Sequence, residues 1–524
     1  MHCQCVRQSD LPNTSRLFAD VLYHPNRASA FYEHPVRDLE AYRASAAQIK
    51  LSPERRALLV DALRVQNAGS AALQKLAQDG TVAVVTGQQV GLFSGPCYTI
   101  YKVLHAVRLA AWLSEQGIPA VPVFWLATED HDFAEVNHVW AFDSMHRPAR
   151  LEMQRTVSEQ PVGSVTLQNP PVAGLRESLS GLPYADEVLQ EVEASYAAGS
   201  TMGQAFQSLL RRLLKTFDIL YLDPMLPCFR ELAAPALRQA VEQAPELSAS
   251  VMARNKELLA AGYHAQVHVE ETTSFVFLLE NGKRLNLRRH GSDYVHNSRR
   301  FTSSELTDRA ASLSPNALLR PVIQDSMVPT IAYIGGPAEV AYLAQSAVIY
   351  RAILGRTPLA VPRTGFTILD SRSGKLLDRY RLSLPDFFHG ETVLRERLAS
   401  RLIPASLNTR AQEAQAGVDA AVARLHQELR AFDPTLAKAL DGSAKKIRYQ
   451  IEKIGRKAGR EALRRDERAA ADASYLYGLI YPERTLQERL YSILPFVATH
   501  GPELIETIHG AIELDCPDHR LMTV

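Results

Sequence analysis

The chain has 524 residues, 58 Lys+Arg against 57 Asp+Glu and a formal net charge of +1. Such a length calls for roughly two to four folding units. A composition 46% hydrophobic and 22% charged excludes a chain disordered throughout. The charge balance argues against bulk nucleic acid or an anionic membrane as the main partner. Five scattered cysteines (Cys3, Cys5, Cys97, Cys228 and Cys516) fit a reducing compartment better than a disulfide scaffold. The first ten residues lack the apolar core of a signal peptide, and the longest apolar stretch, residues 119–127, is half of what a bilayer span needs. A soluble, cytoplasmic protein is therefore expected. Cys3 and Cys5 follow His2, but without a second ligand pair they read as a frayed terminus, and no metal site is assigned.

In chain order, polar loops lead to a helix start at Ser52-Pro53-Glu54, with a cap, a first-position proline and an acidic first turn. Val82–Val85 is a β-branched run expected of a strand buried on both faces. A glycine-rich loop from Thr86 to Pro96 and a helical pattern through Tyr98, Tyr101, Leu104 and Leu113 follow. Gly117 ends that helix, and residues 120–126 form a second strand, completing a βαβ unit. Ile219–Leu222 is a further strand. Asn281-Gly282 between two apolar runs predicts a hairpin, read as part of an insertion. Thr330–Ile334, a glycine turn, a helix to about Ala352 and a last strand within residues 358–369 complete a Rossmann-like α/β sheet with insertions. Later, Val418, Val422, Leu425, Leu429 and Phe432, then Leu440, Ala444, Ile447, Ile451 and Ile454, repeat by fours and threes on either side of Pro434. They predict an antiparallel coiled-coil hairpin. The expected division is a core over 1–385 with insertions near 140–205 and 245–315, a helical domain over 386–472, and a tail over 473–524 that docks back on the core.

Ligands of open α/β sheets sit at the carboxyl ends of the strands, which directs attention to three loops. The first carries Thr86, Gly87, Gln88, Gln89, Gly91, Ser94 and Gly95, with Lys102 one or two turns along the helix. It matches neither dinucleotide nor Walker patterns, yet glycines opening a helix let backbone N–H groups approach an anion. The plain alternative is a tight turn that needs glycine for its own geometry. The second is Thr128-Glu129-Asp130-His131-Asp132, with Asn137 and His138 beyond it. Three adjacent carboxylates call for a cation or a substrate amine, and His131 suits proton transfer. If the chain turns helical at Phe133, Glu135 and His138 approach His131 and a metal becomes conceivable; otherwise Asp132 and Glu135 are a capping pair. The third is Gly335-Gly336-Pro337 with Glu339, which proline at a helix start also explains. Arg363 and Thr364 are weaker candidates, Trp125, Tyr221 and Phe277 read as core, and Asp223-Pro224 as a turn.

VVTGQQVGLFSGPCYTIYK (84–102), PVFWLATEDHDFAEVNHV (122–139), IAYIGGPAEVAYLAQ (331–345) and RTLQERLYSILPFVATHG (484–501) resemble the BshC family of cysteine-adding enzymes of bacillithiol biosynthesis. Cys97 after the Gly-Pro step is a departure. The resemblance implies a Rossmann-like core with connecting-peptide-like insertions and an α-helical coiled-coil domain that makes a homodimer. It also implies ligation of L-cysteine to the amine of glucosaminyl-malate as the last step of bacillithiol synthesis. ATP would activate the carboxylate. The glycine loops would hold phosphates or malate carboxylates. Glu129, Asp130 and Asp132 would hold substrate ammonium groups or Mg²⁺, and His131 would assist proton removal. The rival readings are a class I synthetase-like nucleotidyl or aminoacyl transferase and a non-catalytic coiled-coil binding protein.

Residues 445–468 hold ten Lys/Arg and four Asp/Glu, whereas 411–433 hold four acidic residues and two arginines. Opposite signs on paired helices suit cross-helix salt bridges. Without interleaved aromatics the basic helix is not read as a nucleic-acid site.

Overall fold

The computed structural model describes residues 2–154 and 159–524, without the side chain of His2; residues 155–158, within the first expected insertion, lie outside it. The chain divides into two compact units. One comprises Met1–Ser144, Pro148–Thr367 and Gln487–Met522, and the other Met145–Arg147, Ile368–Leu486 and Thr523–Val524.

The chain opens with strand β1 (His2–Val6), an ordered element where the sequence predicts a frayed end. Strand β2 (Val82–Gln89) runs four residues beyond the expected Val85 and takes Thr86, Gly87, Gln88 and Gln89 out of the loop. Its side chains alternate between two cores: Val82 and Val84 pack on one side, Ala83 and Val85 on the other. That is why the strand is apolar throughout. Gly87 faces Trp125 across the ladder, and a Cβ there would stand 2.9 Å from the Trp125 Cβ and carbonyl oxygen. The glycine therefore serves a close strand approach. Helix Tyr98–Glu115 turns Ala106, Leu109, Ala110 and Leu113 onto the sheet and returns the chain to β3 (Ala120–Ala127).

Strands β4 (His138–Phe142) and β5 (Pro148–Glu152) form an antiparallel pair. Strand β6 (Leu220–Leu222) adds beside β3 in parallel. An antiparallel sheet follows, built from β7 (Thr273–Glu280), β8 (Lys283–His290), β9 (Asp293–His296), β10 (Arg299–Thr302) and β11 (Leu313–Pro315), in the order β10-β9-β8-β7-β11. Asn281 and Gly282 turn between β7 and β8 with φ of 52° and 74°, the doubly positive pair that a tight hairpin demands.

Strand β12 (Thr330–Gly335) and β13 (Leu359–Pro362) complete the core sheet, ordered β13-β12-β2-β3-β6 and parallel throughout. The expected single strand over residues 358–369 is two. At Arg363 the backbone N–H still donates to Gly335 O, 2.9 Å away. The chain then bends, and β14 (Phe366–Leu369) stands apart from the parallel sheet. Strand β15 (His519–Thr523) pairs with β1, joining the two ends of the chain.

The second unit holds the helical hairpin, Ala405–Phe432 and Pro434–Arg465, with Asp433 capping the second helix through the Thr435 N–H. Arg448 bonds Asp419 across the hairpin at 2.6 Å, and His426 lies 3.6 Å from Asp441. Other ion pairs here, such as Arg464 and Arg465 with Glu461, stay within one helix. No described helix is long and apolar enough to cross a membrane.

Candidate active site at the switch point of the parallel sheet

From β2 the sheet grows toward β3 and β6 on one side and toward β12 and β13 on the other. Strand order reverses between β2 and β12, and open α/β sheets bind ligands in the crevice beyond such a point. A cleft of about 600 Å³ lies there. Gln88, Gln89 and Gly336 form its floor, Glu129–Asp132 one wall, and Phe277 and Arg284 of the β7–β8 hairpin another.

The second loop is pinned before it carries chemistry. Gly163 N–H donates to Thr128 O at 3.0 Å and Val162 N–H to Asp130 O at 2.5 Å. A Cβ on Gly163 would stand 2.3 Å from the Thr128 Cβ, so only glycine permits this approach. The loop's carboxylates then diverge. Glu129 is buried and paired with Arg230. Asp130 accepts from Gln89 Nε2 at 2.6 Å and from the His131 and Asp132 N–H groups. Asp132 is exposed and caps the short helix Phe133–Val136 through the Glu135 N–H. Burial pushes the Asp130 carboxyl up, but the Gln89 bond, the Arg284 charge and the backbone donors hold it below the ordinary range.

Arg284 sets the state of His131. Its Nη1 lies 3.0 Å from His131 Nδ1, while Nε and Nη2 are fixed by Ser314 Oγ and Pro315 O. The guanidinium also stacks 3.8 Å over Phe277. A guanidinium only donates, so Nδ1 must accept and the ring proton sits on Nε2. Burial and the Arg284 charge both push the imidazole pKa down, against Asp130 and Asp132, and the ring is neutral at physiological pH. In this tautomer His131 is a hydrogen-bond donor, not the proton acceptor expected from its neighbours.

Helix Phe133–Val136 ends too early for a His131–Glu135–His138 cluster. His138 opens β4 opposite Glu152, and Asn137 is buried against Glu152 and Met153 O. Neither lines the cleft. Among the described residues no three metal-ligating side chains of this loop converge.

The glycine loop is likewise closed. Gly91 O accepts from Tyr196 OH at 3.1 Å, Ser94 is buried beside Ser492, and the Cys97 N–H is taken by Tyr491 O. Thr86 Oγ1 donates to Ile334 O. Thr86, Gly91, Ser94 and Gly95 thus hold the fold, and only Gly87, Gln88 and Gln89 of that set reach the cleft. Lys102 does reach back, but its Nζ meets Gly87 O, Gln88 Oε1 (3.1 Å) and Glu339 Oε1 (2.9 Å). Glu339 also accepts from Tyr333 OH at 2.8 Å and from Gly336 N–H at 2.8 Å. Burial lowers the Lys102 pKa against the pull of Glu339, and Lys102 in turn keeps Glu339 ionised. A Cβ on Gly335, which ends β12, would stand 3.0 Å from the Glu339 Cβ.

Several cleft residues carried no sequence signal. Arg320 is held by Tyr333 and Tyr342 hydroxyls at 3.2 and 3.0 Å. Arg284 and Phe277 come from an insertion hairpin in which strand alternation hides them, and Phe277 is a wall rather than core. Arg489 is exposed, lines the cleft and has no carboxylate partner among the described residues. It belongs to the C-terminal segment quoted above for its resemblance. Arg363, a weak candidate, is locked bidentately to buried Glu488.

The fold and the cleft define a Rossmann-like α/β protein with a small-molecule-sized crevice, lined by several charged side chains, at its switch point and a helical coiled-coil domain. Two family descriptions match, "Bacillithiol biosynthesis BshC, N-terminal Rossmann-like domain" over residues 1–364 and "Bacillithiol biosynthesis BshC, C-terminal coiled-coil domain" over 366–524. The chain is 70% identical to a protein of Solibacter usitatus over the whole of both chains. It is 36% identical to one of Koribacter versatilis over 99% of each, and 30% identical to one of Salinibacter ruber over 97% of this chain and 96% of the other. All three are named "Putative cysteine ligase BshC". The chain belongs to the BshC family.

Proposed function

We propose that this protein joins L-cysteine to the amine of glucosaminyl-malate, forming bacillithiol in the last step of its synthesis, in the cytoplasm. The observation that carries the reading is the charge layout of the cleft. Arg489, a cation with no carboxylate partner among the described residues, shares it with the exposed carboxylates Asp132 and Glu135 and with a neutral His131 whose remaining ring nitrogen, Nε2–H, donates. Arg489 suits a malate carboxylate, because guanidinium–carboxylate pairs are strong and directional. Asp132 and Glu135 suit the ammonium of cysteine and the proton that the amine must lose as the amide forms. His131 Nε2–H suits the oxygen on which charge develops during acyl transfer, with Arg284 fixing the ring. Trp125 and Phe277 supply apolar walls that limit water. ATP, when bound, supplies activation of the cysteine carboxylate, and Arg320 is the cleft cation that suits its anionic groups. The helical hairpin carries homodimerisation: Leu425, Phe432, Ile447 and Ile454 of the expected seam are exposed in the single chain.

Incubating the purified protein with L-cysteine, glucosaminyl-malate and ATP tests this. Bacillithiol detected by thiol labelling and mass, matched to loss of the amine and to release of either ADP or pyrophosphate, supports it. Active protein that consumes ATP and cysteine without forming the conjugate refutes it.

A further inference from the structure

The two ends of the chain meet at a cluster that the cleft does not use. Cys5 of β1 and Cys516, just before β15, place their Sγ atoms 4.0 Å apart although 511 residues separate them. Asp518 joins them, and the three ligand atoms lie within 4.8 Å of one another, the only such group among the described residues. Cys516 and Asp518 are the second ligand pair that the N-terminal sequence lacks on its own.

We propose that Cys5, Cys516 and Asp518 bind one soft divalent cation of the zinc class, which staples the first strand to the C-terminal segment. Two thiolates at tetrahedral zinc, each about 2.3 Å from the metal, stand about 3.8 Å apart. The observed thiol spacing is close to that edge, whereas a disulfide needs the sulfurs at about 2.05 Å. Thiolate donors select zinc over the hard cations magnesium and calcium.

The surroundings are those of a ligand set held from outside. Arg520 Nη1 donates to Cys5 Sγ at 3.1 Å, and Tyr23 OH donates to Asp518 Oδ1 at 2.7 Å. Tyr23 is itself fixed by the Gln8 N–H at 2.7 Å. Such outer contacts orient metal ligands. Two thiolates and a carboxylate carry one negative charge beyond a divalent cation, and Arg520, buried and paired with Glu513, faces it. Cys3, two residues back on the same face of β1, lies within the electrostatic reach of Arg520 and Cys516.

The staple answers a structural question. Cys3, Gln4, Cys5 and Val6 are all exposed or half-buried, so none of the described side chains of β1 is fully buried in the core. A terminal strand with that little apolar contact has little to hold it beyond its ladder bonds. A metal that binds only the folded arrangement adds its binding energy to that strand.

The test uses the full chain, purified without a histidine tag, equilibrated with zinc sulfate and exchanged into metal-free buffer. Elemental analysis is expected to find about one zinc per chain, and at least a tenfold lower occupancy in Cys5→Ser/Cys516→Ser. Cys228→Ser, outside the group, is expected to keep its zinc. Cobalt(II) offers a readout on unmutated protein: a thiolate-to-cobalt charge-transfer band is expected. Zinc no higher in the wild type than in the double variant overturns the proposal. So does the absence of the cobalt band, or a metal-free chain as isolated whose mass shows two hydrogens lost to a Cys5–Cys516 disulfide.

Discussion

Arg284 decides what His131 can do. Its guanidinium donates to Nδ1, stacks on Phe277 and lies 3.7 Å from Asp130. Arg284→Met removes both the donor and the repelling charge, so the His131 pKa rises toward the usual value of about 6.5. A histidine-selective NMR titration is expected to show that midpoint moving up, and product formation at pH 6 to fall more than at pH 8. An unmoved midpoint contradicts the assignment. The Lys102–Glu339 pair makes a second residue-level claim. Lys102 is 1% exposed, so Lys102→Met leaves Glu339 ionised without its partner. The expected loss is about 3–5 kcal/mol in urea unfolding, with much of it recovered in Lys102→Met/Glu339→Gln.

Among the elements, the loop after β3 is shaped from outside, by Val162 and Gly163. Gly163→Ala forces Thr128 aside, at a cost of about 1–3 kcal/mol. Activity is expected to fall well beyond what the change in unfolding midpoint explains, because Asp130 and His131 move with the loop. In the hairpin, the Arg448–Asp419 pair is solvent-exposed and adds little to stability. The proposed dimer would instead rest on the apolar seam, so Phe432→Glu/Ile454→Glu is expected to convert a dimer to a monomer in light scattering. The elements themselves were legible in the sequence, because βαβ patterning, the Asn-Gly turn and the heptads are local signals. Site membership was legible only where it followed a strand end: Gln88, Gln89 and the Glu129–Asp132 run reach the cleft. Gly91, Ser94 and Gly95 carry the same local signature, yet contacts from Tyr196, Ser492 and Tyr491 close that loop. Those partners lie far along the chain, and no spacing rule reveals them. Arg284, Arg320 and Arg489 were hidden for the converse reason, being surface-like residues that the fold brings to the cleft.

Across the larger unit, buried polar ties join distant segments. Arg363 grips Glu488, His105 Nδ1 accepts from the Thr364 N–H at 3.0 Å, and His519 meets Thr367 at 2.8 Å. Burial, with Arg363 nearby, pushes His105 down to about 3 and His519 down to about 4, the latter against Glu488. Both histidines bind protons in the unfolded chain first. Their contribution is therefore intact above pH 6.5 or so and lost as pH falls from there toward those folded values. By pH 5 the loss is on the order of 2–4 kcal/mol, read as a fall in Tm that His105→Gln reduces.

The central claim is that the switch-point cleft binds the amine substrate through Arg489. Calorimetric titration of glucosaminyl-malate into wild type and Arg489→Met measures it directly. Binding is expected to be weaker by about 10- to 100-fold in the variant, the value of one charge-assisted contact. An unchanged Kd, with the variant folded, would contradict it.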